Sequence, residues 1–452
     1  MNETKEIRLI KDNPRKAIWK LSLPITFSLL FLMLNNLIDC AWVSGLGGNA
    51  LAAVGFVTPL YLAIVGLGSG LGAGINSAIS RAIGSEDNER ANNTAWHGII
   101  LSIFCTILLT IILYFALNEI LATMGAGEVM EFAKDYGEIM VLGTFALLFP
   151  SILGAILRSE GQIKKATYPL IACSVMNMVI DPIVIYTLNM GITGAALCTI
   201  FCELVCVIIM AYWLFIERDT YFDLHLSKFK NTLKIYKDIL IVGIPASLEE
   251  IIMAILSAIL NATLVVVGGT VSVAVFSATW RLISIAVTPA VGVGIAAITV
   301  IATAYGAKDW KKLKIAFNSS FEISMIFATV VFVIFFIFAE DLSGLFTYYD
   351  NGLSDAITMA IRILGIYIIA MPAGLISAYY FQSIGKGFTS LALTIIREFI
   401  FIVIMVYILT FVFNLGVYGT YWGIILGGIF GSLVSYICAK YSQKKLRVNC
   451  DS

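Results

Sequence analysis

The chain has 452 residues, of which 60% are hydrophobic and only 13% are charged, and its mean hydropathy is +0.94. Soluble domains carry roughly 25% charged residues, so a water-soluble globular fold is excluded. The 29 basic and 29 acidic residues balance to a formal net charge of zero, and no basic surface for nucleic acid is predicted.

Apolar stretches long enough to cross a bilayer follow one another along the chain. A hydrocarbon core of roughly 30 Å needs a helix of about 20 residues, and no stretch alternates as barrel strands do. The first stretch is too long to be the apolar region of a cleaved secretory signal. The first six predicted spans are 17–42, 51–76, 94–117, 133–157, 168–189 and 192–216.

A polar segment follows the sixth span, and six further spans come after it. These are 238–267, 271–300, 315–339, 356–380, 389–412 and 416–440. Segments on the side of the N-terminus carry 25 Lys and Arg residues, whereas the loops on the other side carry one, Lys134. Because basic loops stay in the cytoplasm, we predict a multi-pass plasma-membrane protein with both termini cytoplasmic.

The two halves of the chain repeat one pattern. Pro24 recurs as Pro245 at an offset of 221, and Gly161 recurs as Gly385 at an offset of 224. An even number of spans in each copy makes the copies parallel repeats. The predicted fold is an all-α integral membrane protein with twelve transmembrane helices in two parallel-repeat six-helix lobes. Its predicted parts are an N-terminal lobe (1–216), a cytoplasmic linker (217–237) and a C-terminal lobe (238–452).

Two other patterns are explained better by packing than by a ligand. Cys198, Cys202 and Cys206 share one helix face, and the alternate glycines of 66–74 fit close helix contact rather than a nucleotide loop. The sequence contains no zinc pattern and no pairing of a nucleophile with a base. We therefore predict neither a metal centre, nor a cofactor, nor an enzyme.

Ionisable side chains inside spans are costly, and they indicate function. Asp39 lies in span 1 and Asp181 in span 5, where Asn177 precedes it by one helical turn. Thr199 in span 6 lies at a similar depth. Two carboxylates, an amide and a hydroxyl suit a hard cation such as Na⁺, and two neighbouring carboxylates also suit shared protons.

Other polar groups in the spans are secondary candidates. Because Pro182 has no N–H, we expect the carbonyl oxygen of Met178 to be free to face a ligand. Glu203 either lines the same cavity or forms a structural pair. Glu322 and Glu398 lie nearer the ends of spans, where we predict solvated or paired surface positions.

The sister half provides an internal control for these four candidates. If they served packing alone, the second copy would be expected to keep some of them. All four counterparts are apolar, which favours a function in the N-terminal half. The counterparts are Leu260, Phe401, Met405 and Ile424.

Several motifs together resemble the multidrug and toxic compound extrusion (MATE) family, particularly its prokaryotic DinF-like branch. The resemblance implies two lobes that export organic cations against inward Na⁺ or H⁺. It assigns Asp39, Asn177, Asp181 and Thr199 to a cation site, and Pro24 to a bend in span 1. The motifs are the P-x(14)-D of span 1, RSEG at 158–161, N-x-x-x-D-P at 177–182 and G-x-x-G-A-A at 191–196.

The C-terminal half departs from the NorM-like branch, which carries acids in spans 7 and 10. No acid occurs between Asp355 and Glu398, so span 10 has none. Glu249 and Glu250 in span 7 are candidate substrate residues, together with Arg281 in span 8. The sequence leaves open whether the two acids meet a cationic drug, Arg281 or a water-filled cavity.

The expected function is secondary active export (antiport) of small, often cationic drugs or toxic compounds, driven by Na⁺ or H⁺. We expect a monomer whose partners are drug substrates and membrane lipid. The alternative is a lipid-linked saccharide flippase of the same superfamily. Its anionic substrate calls for several cavity arginines and often fourteen spans, whereas the charges within the spans here are mainly acidic.

Overall fold

The structure is a computed structural model that describes residues 4–217, 220, 221, 224, 229–346 and 351–451. Within these residues the chain is helical and contains no strand. Residues 218, 219, 222, 223 and 225–228 of the predicted linker lie outside the described residues.

The first half of the chain forms long helices joined by short turns. The predicted fourth span is built from two helices that bend by 42° at Gly143. The helices are α1 (Lys5–Asp12), α2 (Pro14–Ser44), α3 (Gly48–Gly84), α4 (Asn88–Thr123), α5 (Met130–Leu142), α6 (Thr144–Ser159), α7 (Ile163–Thr187) and α8 (Gly191–Glu217).

The second half repeats this organisation. Its helices are α9 (Leu233–Gly306), α10 (Trp310–Ile337), α11 (Ala339–Gly344), α12 (Asn351–Ser383), α13 (Gly387–Val412) and α14 (Gly416–Asp451). The 74 residues of α9 are divided by Gly269, whose φ of 69° is not helical. Ten helices in the described part are long and apolar enough to cross a membrane. The bent α5–α6 pair and the division of α9 complete the twelve predicted spans.

Large apolar side chains cover the outside of these helices. Phe104 and Phe115 of α4 are 62% and 78% exposed, and Val266 of α9 is 74% exposed. Soluble proteins rarely expose extended apolar surface. Hydrocarbon tails are the solvent that such a surface requires.

The turns between helices confirm the predicted repeat. Asp87 Oδ1 accepts a hydrogen bond from the Arg90 N–H, and Asp309 Oδ1 accepts one from the Lys312 N–H, both at 2.9 Å. Each aspartate caps the helix that follows its turn. Positive φ angles also recur in matched pairs that agree within 4°. The pairs are Glu86 with Lys308, Gly161 with Gly385, Asn189 with Asn414 and Gly191 with Gly416.

The chain packs into two compact units. One comprises Met1–Arg8 and Phe27–Ser247, and the other comprises Leu9–Thr26 and Leu248–Ser452. The boundaries fall inside α1, α2 and α9, so the last part of α1 and the first part of α2 pack with the second unit. The limits 1–216, 217–237 and 238–452 describe the order of the copies along the chain, and they stay a prediction.

Glycines of α3 allow a close helix contact in the first unit. A Cβ atom at Gly70 would lie 2.1 Å from Ser247 Oγ, and one at Gly74 would lie 2.4 Å from the carbonyl oxygen of Ile239. Only a residue without a side chain fits against the first part of α9 at these two positions. The packing interpretation of the glycine run is therefore confirmed.

Candidate functional site

Helix α2 carries the first acidic group of the candidate site. The helix continues through Pro24, although proline cannot donate a hydrogen bond to the carbonyl oxygen of Lys20. Asn35 and Asp39 lie one turn apart on the same face of α2. The Oδ1 atoms of both side chains are buried and have no hydrogen-bond partner among the described residues.

Helix α7 carries the second acidic group. Asn177 and Asp181 are 2% and 0% exposed, and Asn177 Nδ2 donates a hydrogen bond to Asp181 Oδ1 at 3.1 Å. Asn177 Oδ1 and Asp181 Oδ2 are buried without a partner in the part of the chain that the structure describes. Each of these two side chains therefore keeps one oxygen available as an acceptor.

The structure brings the carboxyl groups of α2 and α7 together. Asp39 and Asp181 lie within hydrogen-bonding range of each other. Two charges about 4 Å apart repel by about 4 kcal/mol at an effective dielectric constant of about 20. The arrangement therefore favours a proton or a cation between the two groups over two bare carboxylates.

The carbonyl oxygen of Met178 is already occupied by a neighbouring side chain. Pro182 supplies no helical donor, but Trp42 Nε1 donates a hydrogen bond to Met178 O at 3.3 Å. The hydroxyl of Tyr186 in turn donates to the carbonyl oxygen of Trp42. The prediction that Met178 O faces a ligand is therefore wrong, since α2 provides the missing donor. These two bonds fasten α2 to α7 beside the acids.

Helix α8 contacts the acid pair through a residue next to the predicted one. Asn177 Nδ2 donates to Cys198 Sγ at 3.4 Å, and the Cys198 side chain is buried. The hydroxyl of Thr199, one residue later, donates to the carbonyl oxygen of Ala195 at 3.1 Å. The structure thus adds Cys198 to the groups beside the amide, and Thr199 as a cation ligand stays a prediction.

Two tyrosines that the sequence analysis did not identify also belong to this cluster. Tyr61 on α3 lies within electrostatic range of Asp39 and Glu203. Tyr136 on α5 lies within range of Asp39 and Asp181. Each phenol can donate one hydrogen bond to a carboxylate. Only the packing of α3 and α5 against α2 places them there.

The unpartnered polar atoms at the centre of this cluster are oxygens. Carboxylate and carbonyl oxygens bind hard cations, and a carboxylate also accepts a proton. Within the described residues no His, Cys, Asp or Glu group has the arrangement of a metal-ion site. The unpartnered oxygens are the type of donor that a small hard cation or a proton requires. These atoms are Asn35 Oδ1, Asp39 Oδ1, Asn177 Oδ1 and Asp181 Oδ2.

The two acids of span 7 occupy different environments in the second unit. Glu249 accepts hydrogen bonds from Ser390 Oγ at 2.7 Å and from Gln382 Nε2 at 3.2 Å. Glu250 and Arg281 are exposed, and neither makes a hydrogen bond or ion pair with any described residue. The structure thus anchors Glu249 and leaves the charges of Glu250 and Arg281 without a partner.

A buried ion pair in α13 corrects the surface position predicted for Glu398. Arg397 Nε donates to Glu398 Oε1 at 2.7 Å, and the two side chains are only 6% and 0% exposed. A Cβ atom at Gly374 would lie 2.4 Å from Arg397 Nη1, so the glycine makes room for the guanidinium. The other predicted surface acid, Glu322, pairs with Arg15 at 3.2 Å, and both of these side chains are more than half exposed.

Comparison with known proteins agrees with this architecture. Residues 24–183 and 245–408 each match the MatE family model. The chain is 23% identical to the multidrug export protein MepA of Staphylococcus saprophyticus, over 97% of this chain and 96% of that protein. A crystal structure of MATE in the straight conformation is 36% identical with a TM-score of 0.96, covering 99% of this chain and 100% of that one. A crystal structure of MATE in the bent conformation is 36% identical with a TM-score of 0.95, covering 100% of both chains.

The two family matches also reproduce the internal repeat. They begin 221 residues apart and end 225 residues apart, which are offsets at which the sequence itself repeats. Together they cover more than half of the chain. The chain therefore belongs to the MATE family of membrane transporters.

Proposed function

We propose that this transporter is a secondary active exporter of small, often cationic drugs, which it exchanges for inward-moving Na⁺ or H⁺ across the plasma membrane. Export of drugs is supported by the relative from Staphylococcus saprophyticus, a multidrug export protein. Ion coupling is supported by one observation above the others. Asp39 and Asp181 face each other between membrane-spanning helices, and each keeps an unpartnered carboxylate oxygen.

Ion binding drives the transport cycle by removing repulsion between the two acids. A proton or Na⁺ at Asp39 and Asp181 lets α2 and α7 approach, and α2 bends at Pro24, where one helical hydrogen bond is missing. The bend narrows the cavity of the N-terminal lobe and favours release of drug to the outside. Similar MATE crystal structures in a straight and a bent conformation support such a pair of states. Drug and ion are coupled because each binds the two states with different affinity.

The second unit contributes substrate contacts rather than the coupling site. Glu250 presents an exposed carboxylate that suits a cationic group, whereas Glu249 is held by Ser390 and Gln382. The flippase alternative is less well supported, because it requires several free arginines around an anionic substrate, and Arg281 alone does not provide them. The deeply buried Arg397 is neutralised by its neighbour in α13.

The proposal is tested by neutralising the acids one at a time. Asp39→Asn and Asp181→Asn are expected to insert normally but to lose gradient-driven export, since each removes an ion ligand. A charge that moves down a potential of 100 mV releases about 2.3 kcal/mol, so the loss removes driving force as well as affinity. Glu322→Gln is the matched control, because that acid is exposed and distant from the site in the sequence.

The measurement is transport of a fluorescent organic cation in proteoliposomes. One arm imposes a Na⁺ gradient at equal pH, and the other imposes a pH gradient at equal Na⁺, so that the coupling ion is identified. Loss of transport in both aspartate variants, with normal transport by Glu322→Gln, supports the proposal. Full export by either aspartate variant would contradict the assignment of the coupling site to Asp39 and Asp181.

A further inference from the structure

Cys198 contacts polar side chains of the candidate site, whereas Cys206 on the same face of α8 does not. Its sulfur accepts a hydrogen bond from Asn177 Nδ2 at 3.4 Å, while the same amide nitrogen donates to Asp181 Oδ1 at 3.1 Å. The Cys198 thiol also lies within hydrogen-bonding range of the Asp181 carboxyl group. Cys206, two turns further along the same face, contacts Cys173 instead.

These bonds fix the orientation of the Asn177 amide. The nitrogen carries two hydrogens, and the structure gives them two acceptors, Asp181 Oδ1 and Cys198 Sγ. A rotated amide would place its oxygen against the Asp181 carboxylate, which is a contact between two acceptors, and would leave the weak S–H group of Cys198 as its donor on this side. Asn177 Oδ1 must therefore point away from Asp181 Oδ1 and Cys198, and it is one of the unpartnered oxygens of the site.

The internal repeat provides an independent comparison. The counterpart of Cys198 is Gly423, at the local offset of 225, and the counterpart of Asn177 is Phe401, at the local offset of 224. A Cβ atom at Gly423 would lie 2.5 Å from Val406 Cα, so the second unit uses this position for close helix packing. The thiol is present in the half that carries the amide and absent from the half that lacks it.

We propose that Cys198 is a positioning residue of the cation site, where it holds Asn177 Oδ1 and Asp181 Oδ2 toward the bound ion. The inference rests on the proposed coupling role of the acid pair. It also explains how α8 acts on the site, since the hydroxyl of Thr199 is bonded to the carbonyl oxygen of Ala195. The thiol is the hydrogen-bonding group of α8 that contacts the amide.

The expected effect is a change in ion dependence. Loss of a group that orients a metal ligand typically lowers affinity by about 10–100-fold, and a weak sulfur acceptor belongs at the lower end of that range. In the Na⁺ arm, Cys198→Ala is expected to raise the half-saturating Na⁺ concentration about tenfold. In the H⁺ arm, the same loss of orientation is expected to change the half-saturating H⁺ concentration by a similar factor.

The experiment uses the full-length transporter in the proteoliposome assay. Cys198→Ala and Cys198→Val both remove the hydrogen-bonding group, but valine keeps the volume, so a packing defect in one variant does not hide the result. Cys198→Ser keeps a donor and an acceptor and is expected to restore the original ion dependence. Cys206→Ala is the control on the same helix face and is expected to change nothing. Export at saturating ion reports that each variant is folded.

Two results overturn the inference while leaving the proposed function intact. One is an unchanged ion midpoint in both Cys198→Ala and Cys198→Val. The other is an equal shift in Cys198→Ser, which would indicate packing rather than hydrogen bonding. Failure of the proposed function would be recognised by a different result, because the Asp181→Asn variant would then retain export. A midpoint shift in the alanine and valine variants, with rescue by serine, establishes the positioning role.

Discussion

Breaking the buried ion pair of α13 is expected to destabilise the second unit strongly. Arg397→Met would leave the Glu398 carboxylate fully buried without its guanidinium. Glu398 Oε2 already has no hydrogen-bond partner among the described residues, so the carboxylate depends on the bond from Arg397 to Oε1. Removing one partner of a buried pair typically costs about 3–5 kcal/mol, because it leaves an uncompensated charge in a medium of low dielectric constant.

The double variant Arg397→Met/Glu398→Met separates this cause from a simple loss of packing. Replacing both partners by apolar side chains of similar size is often neutral or stabilising, so the double variant should be more stable than the single one. Arg15→Met is the surface control, since an exposed pair contributes about 0–1 kcal/mol. The free energy of unfolding is measured by denaturant titration in detergent micelles. A single variant as stable as the unchanged protein, or a double variant less stable than the single one, refutes the reasoning.

Two further predictions concern substrate choice and orientation. Glu250→Gln is expected to shift export from cationic toward neutral drugs, because it removes an unpaired carboxylate, and a drug panel measures the shift. If Glu249→Gln/Glu250→Gln transports nothing while Asp39→Asn stays active, the coupling site belongs to the second half. A single cysteine at Lys230, in a background without other reactive thiols, should react only with reagents that reach the cytoplasm. If a reagent that cannot cross the membrane labels this cysteine from outside, the predicted orientation is wrong.

Much of the fold can be predicted from the sequence, because a helix that crosses lipid requires a long apolar stretch. The predicted gap between 238–267 and 271–300 contains Gly269, where α9 loses helical geometry. The ends of the helices are less readable. Span 51–76 lies inside α3, which continues to Gly84, because the helix does not end where the hydrocarbon ends. Hydropathy records contact with lipid, whereas caps and turns set the end of a helix.

The candidate site is readable only where its residues share a helix. Asn177 and Asp181 lie one turn apart, so their hydrogen bond follows from helical geometry alone. Contacts between helices depend on the rotation of each helix, which apolar stretches do not specify. For that reason Cys198, rather than Thr199, contacts the amide, and the phenol of Tyr136 comes from another helix. The indole that occupies Met178 O is a contact of the same kind.

The two halves carry buried charges of different kinds, and this difference supports placing the coupling in one half. The first half holds two like charges, Asp39 and Asp181, within hydrogen-bonding range. The second half holds two opposite charges, Arg397 and Glu398, at positions that are uncharged in the first half (residues 173 and 174 at the local offset of 224).

A pair of like charges gains energy when a cation binds, because repulsion is replaced by attraction. A pair of opposite charges is already neutral, and a cation would have to displace the guanidinium. The acid pair of the first half therefore gains more from an arriving cation than the Arg397–Glu398 pair does. A conformational change driven by an ion needs such a difference in binding free energy between two states. The proposed coupling role of Asp39 and Asp181 rests on this difference between two otherwise similar helix bundles.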